Sequence, residues 1–190
     1  MVPSELLWLF ISDIASPTTL GLLLLIYALF LFSKQKYSTG FFILLTSLSG
    51  ITIIYIIKNI VQRERPEEAL YYLSDFSFPS GHVTFATIFF MIAIYTAYKH
   101  HHKITYIITI VISILMMILV GLSRIFLSVH WASDVFAGYI IGLIVFYLCL
   151  NFFDKDTARH LFGLSKPKKR KYTRRNIRKP TVRKRKVVTS

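Results

Sequence analysis

Three short runs, far apart in the chain, carry side chains able to handle a phosphate. They are Lys58 with Arg65-Pro66, the run Pro79-Ser80-Gly81-His82, and Ser123-Arg124 followed by His130 and Asp134. A phosphomonoester brings close to two negative charges into a site. Lys58, Arg65 and Arg124 offer opposing charge, the arginines through two-pronged hydrogen bonds. Ser80-Gly81 stands where an apolar helix is expected to begin. Free backbone N–H groups at a helix start favour anions, and glycine lets that backbone approach a phosphate closely. Pro79 fits just before the helix because its missing donor is no loss there. His130 and Asp134 are four apart at another helix start and so share a face. The carboxylate can hold one imidazole nitrogen and leave the other to attack phosphorus. His82, on a different helix, is then free to protonate the departing alkoxide and later to activate water. Phosphoryl transfer needs mainly positioning and charge stabilisation, so three fixed cations can stand in for a metal.

Singly, each of these residues has a blander reading. Lys58 or Arg65 alone is a charge snorkelling at a helix end, His130 an interfacial histidine, Asp134 a partner for a neighbouring helix. The joint pattern points to catalysis, because an ionisable group at the edge of an apolar span needs compensation and is functional by default.

Hydropathy supplies the elements that must hold them. The 190 residues are 54% hydrophobic and 15% aromatic, with a mean hydropathy of +0.56, which excludes an ordinary soluble globule. Five apolar stretches, about 18–32, 40–57, 81–98, 104–122 and 131–153, approach the roughly 20 residues a bilayer-crossing helix needs. The fold expected is all-α: a polytopic membrane protein of five spans, or six if the short apolar stretch 6–14 crosses too. That stretch ends in Ser16-Pro17 and reads as an interfacial helix, with a kinked extension of the first span as the lesser possibility. Five alternating spans bring all three runs to one membrane face.

The net charge of +14 is unevenly distributed. Residues 1–156 carry nine Lys/Arg against nine Asp/Glu, and residues 157–190 carry fourteen Lys/Arg and no acid. Two domains follow: a membrane-embedded phosphatase domain, 1–156, and a basic tail, 157–190, expected to be disordered. Lys34, Lys36, Lys99 and Lys103 lie in loops on the tail's side. Basic loops stay cytoplasmic, which puts the tail inside and the phosphate-handling runs on the extracytoplasmic face of a multi-pass cell-membrane protein. Anionic lipid head groups are the expected partner of the tail, with nucleic acid a weaker alternative. Trp131, Tyr71 and Tyr72 suit an aromatic belt. Cys149 is alone, so a disulfide framework is excluded.

The three runs resemble the motifs of the type-2 phosphatidic acid phosphatase superfamily, the lipid phosphate phosphatases. Lys, six residues and Arg-Pro match 58–66; Pro-Ser-Gly-His matches 79–82; Ser-Arg, five residues, His, three residues and Asp match 123–134. The resemblance implies an all-helical core. It implies that His130 is the nucleophile, forming a phosphohistidine, that His82 is the acid, and that Asp134 supports the nucleophile. It further implies that Lys58, Arg65, Ser80, Gly81 and Arg124 bind phosphate and that neither metal nor other cofactor is needed. The substrate implied is a lipid phosphate or diphosphate; a site on the outer face favours an undecaprenyl-diphosphate-like carrier, with phosphatidic acid and phosphatidylglycerol phosphate left open by the shared motifs. Two rivals stand beside it. A vanadate-dependent haloperoxidase shares these motifs but resembles soluble proteins, and a non-catalytic anchor with a recruiting tail has no use for an intact nucleophile, acid and orienter.

Overall fold

A computed structural model describes residues 3–100 and 102–163. Seven helices make up its regular structure: α1 (Pro3–Ile14), α2 (Pro17–Ser33), α3 (Tyr37–Val61), α4 (Gly81–His100), α5 (Lys103–Phe126), α6 (Ala132–Phe153) and α7 (Lys155–Leu161). Five crossings are long and apolar enough to span a bilayer, one of them running through α1 and α2 over Glu5–Ser33. An all-helical membrane protein is what the hydropathy pattern calls for, since only helices satisfy every backbone group within a single crossing segment.

Helix boundaries follow local chemistry. Ser16 caps α2, its Oγ accepting from Thr19 N–H at 3.1 Å, and Pro17 occupies the first helical turn, where the missing donor is harmless. Helix α3 stops at Gln62, whose φ of +48° turns the chain left-handed. Asp134 sits in the first turn of α6 and accepts from the Trp131 backbone N–H at 3.0 Å, a placement the helix dipole favours.

Helix α4 is the central post. It packs on α2, α3, α5 and α6, and 56% of its span is buried inside the protein against 17% for α5. A helix enclosed by others need not present an apolar surface to lipid. That is why threonines are tolerated on it: Thr84 and Thr87 return their hydroxyls to Ser80 and Val83 carbonyls one turn back, at 2.9 and 2.8 Å. The α4–α6 contact is the closest. A Cβ on Gly142 would stand 2.8 Å from the Thr84 carbonyl oxygen, and one on Gly138 would stand 3.1 Å from that of Ser80. Small residues four apart let helix backbones meet in a medium where hydrophobicity gives no drive for association. Away from the site, Phe42 anchors an aromatic cluster with Tyr95, Phe146 and Phe153.

Two expectations are refined. Helix α1, read as interfacial, folds onto the C-terminal end of α5, where Trp8 stacks on Phe126 with ring centroids 4.6 Å apart. The domain boundary read after Asp156 falls inside α7, which Asp154 caps through Thr157 N–H and which buries Ala158 fully. Apolar contact with α6 continues past the point where the charge pattern changes. Residues 164–190 of the expected tail lie outside the described residues.

Candidate active site

The three runs converge at one end of the bundle. Lys58 lies in the last turn of α3, Gly81 and His82 open α4, Arg124 lies in the last turn of α5, and His130 and Asp134 flank the start of α6. Lys58, Arg65, Gly81, His82, Arg124 and His130 line a single cavity of about 300 Å³. Its remaining wall is largely apolar, with Pro17, Ile51, Ile54, Leu73 and Phe85. A lining that joins cations and imidazoles to aliphatic groups suits an amphiphile.

Asp134 and Ser80 are brought to the site but stand behind the cavity wall, both fully buried. The Ser80 N–H donates to the Asp134 carbonyl at 3.1 Å, which joins the second motif to the third. This departs from the sequence reading, in which that N–H faced an anion. The groups left for an anion are the first N–H donors of α4 itself, which have no acceptor within the helix. Ser80 Oγ has no partner. Ser123 plays a local part, its hydroxyl returning to the Val120 carbonyl at 2.7 Å.

Residues 63–65 grip the His130 segment one after another. Arg63 Nη1 reaches Ser133 Oγ at 2.6 Å and Asp134 Oδ1 at 2.8 Å. The Glu64 carbonyl accepts from Trp131 Nε1 at 3.1 Å. Arg65 Nη1 donates to the Val129 carbonyl at 2.6 Å and lies 3.3 Å from His130 Nε2. An arginine can only donate, so Nε2 is the unprotonated nitrogen and the imidazole proton sits on Nδ1. Nδ1 faces Asp134 Oδ2 at 3.5 Å, beyond hydrogen-bond range, and has no other partner. Burial, reinforced by the Arg65, Arg124 and Lys58 charges, pushes the His130 pKa down to about 4 against the upward pull of Asp134. The ring is therefore neutral near pH 7, with its Nε2 lone pair directed at Arg65.

Four residues that sequence reasoning left out complete the site. Asp75, in the α3–α4 connection, places Oδ1 2.6 Å from Arg65 Nη2 and Oδ2 3.0 Å from Lys58 Nζ. Burial pushes its carboxyl up, but the hydrogen bonds and charges of Lys58 and Arg65 outweigh that and hold it below the ordinary carboxylate range. Arg124, with no exposed surface, donates to Ser12 of α1 and, at 2.9 Å, to the Tyr71 hydroxyl. Tyr71 thus faces inward, whereas Tyr72 is 90% exposed. Arg63 is the fourth. Only Asp75 gave a hint in the sequence, as an acid close to the second motif; pairing across 53 or 112 residues leaves no local trace.

Comparison with known proteins gives the family and the overall fold. Residues 39–158 match the sequence model of the PAP2 superfamily. The chain is 35% identical over 148 residues to phosphatidylglycerophosphatase B of Bacillus subtilis (strain 168), covering 74% of this chain and 70% of that protein. It is also similar to the crystal structure of a transmembrane PAP2-type phosphatidylglycerolphosphate phosphatase from Bacillus subtilis. There the TM-score is 0.75 and the identity 29%, over 82% of this chain and 80% of the other.

Proposed function

Since the chain belongs to the PAP2 superfamily and is a multi-pass membrane phosphatase acting on lipid phosphate, we propose that it hydrolyses a lipid phosphomonoester through a phosphohistidine on His130. The observation that carries this is the placing of the His130 ring, with Nε2 beside Arg65 and Nδ1 towards Asp134, in the cavity that also holds His82, Lys58 and Arg124.

In this reading Lys58, Arg65, Arg124 and the first N–H groups of α4 hold the three outer phosphoryl oxygens. Ser80 Oγ, buried without a partner, adds a donor from behind. His130 Nε2 attacks phosphorus as the ester P–O bond breaks, and His82, held as an imidazolium by the anionic substrate, gives its proton to the departing lipid alkoxide and becomes neutral. The proton on His130 Nδ1 is held by Asp134, whose 3.5 Å approach shortens in the substrate complex, as catalytic contacts commonly do. His82, now a base, takes a proton from water; the hydroxide attacks the phosphohistidine, releasing orthophosphate and restoring both rings. The work a metal would do, neutralising charge on the equatorial oxygens, falls to the three cations.

The cations Lys58, Arg65 and Arg124 line the cavity, with Asp75 beside two of them, an excess of positive charge that suits a phosphoryl group. Phosphatidylglycerol phosphate, the substrate in the relatives' names, is the first choice. Phosphatidic acid and an undecaprenyl-diphosphate-like carrier are the competitors. The distribution of Lys and Arg puts the site on the extracytoplasmic face and the basic tail inside, against anionic head groups.

The test is phosphate release from these three lipids in detergent with a chelator present, for the parent, His130→Ala and a chain ending at residue 163. Turnover is expected in the parent and the shortened chain and not in His130→Ala. Unchanged turnover in His130→Ala would end the phosphohistidine reading, and loss of activity on chelation would end the metal-independent one.

A further inference from the structure

Arg63 belongs to none of the three motifs, and as an isolated residue it reads as a solvated loop charge. Its contacts say otherwise. Its Nη1 bridges Ser133 Oγ and Asp134 Oδ1 at 2.6 and 2.8 Å. Its guanidinium lies 5.3 Å from the Trp131 ring centroid. The carboxylate it reaches has no exposed surface, while its own side chain is 37% exposed. Asp134 therefore uses both oxygens: Oδ1 on Arg63, and Oδ2 on the Trp131 backbone N–H and towards His130 Nδ1. A buried carboxylate facing only a neutral imidazole would be poorly compensated. A planar guanidinium set by stacking and two acceptors also fixes the plane in which that carboxylate points.

We propose that Arg63 is a positioning residue for the His130–Asp134 couple: it orients the Asp134 carboxylate and partly neutralises it, so that Asp134 steers His130 without protonating it. The inference rests on the reading of His130 as nucleophile. Without Arg63, Asp134 would pull harder on the imidazole and be free to turn, so His130 would titrate at a higher pH and be held less firmly in line with phosphorus. Arg63 limits that pull. The other charged or titratable groups lining the cavity with His130 are Tyr55 and Lys58 of α3, Arg65 and Asp75 of the α3–α4 connection, His82 of α4 and Arg124 of α5. None of these, in the contacts found, reaches an Asp134 carboxylate oxygen.

Two readouts test this. One is the titration of the His130 imidazole by NMR of 13C-histidine-labelled protein in detergent, its resonance assigned through His130→Asn. The other is kcat/KM for phosphatidic acid in mixed micelles. In Arg63→Gln the midpoint should rise by about one pH unit, as expected on losing a nearby like charge. Its kcat/KM should fall about ten- to a hundred-fold, as small misplacements do. Arg63→Lys keeps the charge and loses the fork, so its midpoint should match the parent while kcat/KM falls several-fold. An unmoved midpoint in Arg63→Gln would overturn the electrostatic part whatever the rate. Full activity in Arg63→Lys would overturn the positioning part, and that arm decides even if the Gln variant does not fold. Turnover by His130→Ala would instead remove the premise. An inactive His130→Ala beside unaltered Arg63 variants would sink this inference alone.

Discussion

Replacing Asp75 by Asn removes an anion held on two of the three phosphate-facing cations. Its carboxylate oxygens lie 2.6 Å from Arg65 Nη2 and 3.0 Å from Lys58 Nζ. At about 3 Å and an effective dielectric near 20, Coulomb attraction is about 5 kcal/mol per pair. The Asp75 side chain is 55% exposed, so screening and lost side-chain freedom reduce each pair to about 1 kcal/mol. An incoming phosphate has to displace both pairs. Asparagine keeps the shape and one acceptor but gives up the charge, so phosphate binding should strengthen by about 1–2 kcal/mol, or about ten-fold. The assay is inhibition of phosphatidic acid hydrolysis by orthophosphate at pH 7, where the lowered pKa of Asp75 leaves it ionised. Ki should fall about ten-fold in Asp75→Asn. A carboxyl with a depressed pKa keeps its ion pairs at neutral pH and loses them as pH drops through that value, so the gap between the two proteins should close in acid. An equal or higher Ki in the variant would refute the reasoning, and Asp75 would then serve to order Lys58 and Arg65 rather than to compete for them.

Other outcomes follow from the same geometry. Gly142→Ala sets a Cβ 2.8 Å from the Thr84 carbonyl, so α4 must move off α6. We expect a loss of about 1–3 kcal/mol in stability and of about a hundred-fold in kcat/KM, read by melting in detergent and by turnover. Gly21→Ala meets only Phe85 at 3.6 Å and should match the parent in both. Tyr71→Phe takes an acceptor from buried Arg124 at about 1.5–3 kcal/mol; the guanidinium is freed to shift, and kcat/KM should fall at least ten-fold. Unaltered kinetics would show that Ser12 suffices. The His130 imidazole should titrate near pH 4 in the parent, and an NMR midpoint near 6.5 would contradict the buried, cation-flanked environment.

The span count and the sidedness of the motifs were legible because both are local properties. Hydropathy accumulates residue by residue along a helix that must satisfy its own backbone, and alternation then assigns each connection to a side. The meeting of the motif residues at one end of the bundle was legible for a related reason. Each motif is a short run at a helix end, so its spacing survives whatever the rest of the chain does. Helix α7 was missed because its turn-forming residues are charged and its burial rests on an apolar face against α6.

What the chain alone determined is the makings of a chemistry: an imidazole with a carboxylate four residues on, a second imidazole, and three cations at one end of an apolar bundle. What only the folded molecule decided is how that chemistry is tuned. Asp75 sits on Lys58 and Arg65, Arg63 on Asp134, and Ser12 with Tyr71 on Arg124. Each of these rests on one or two polar contacts between side chains of different segments. Its energy depends on separation, orientation and burial, and none of the three exists until helix α4 has drawn the others around it.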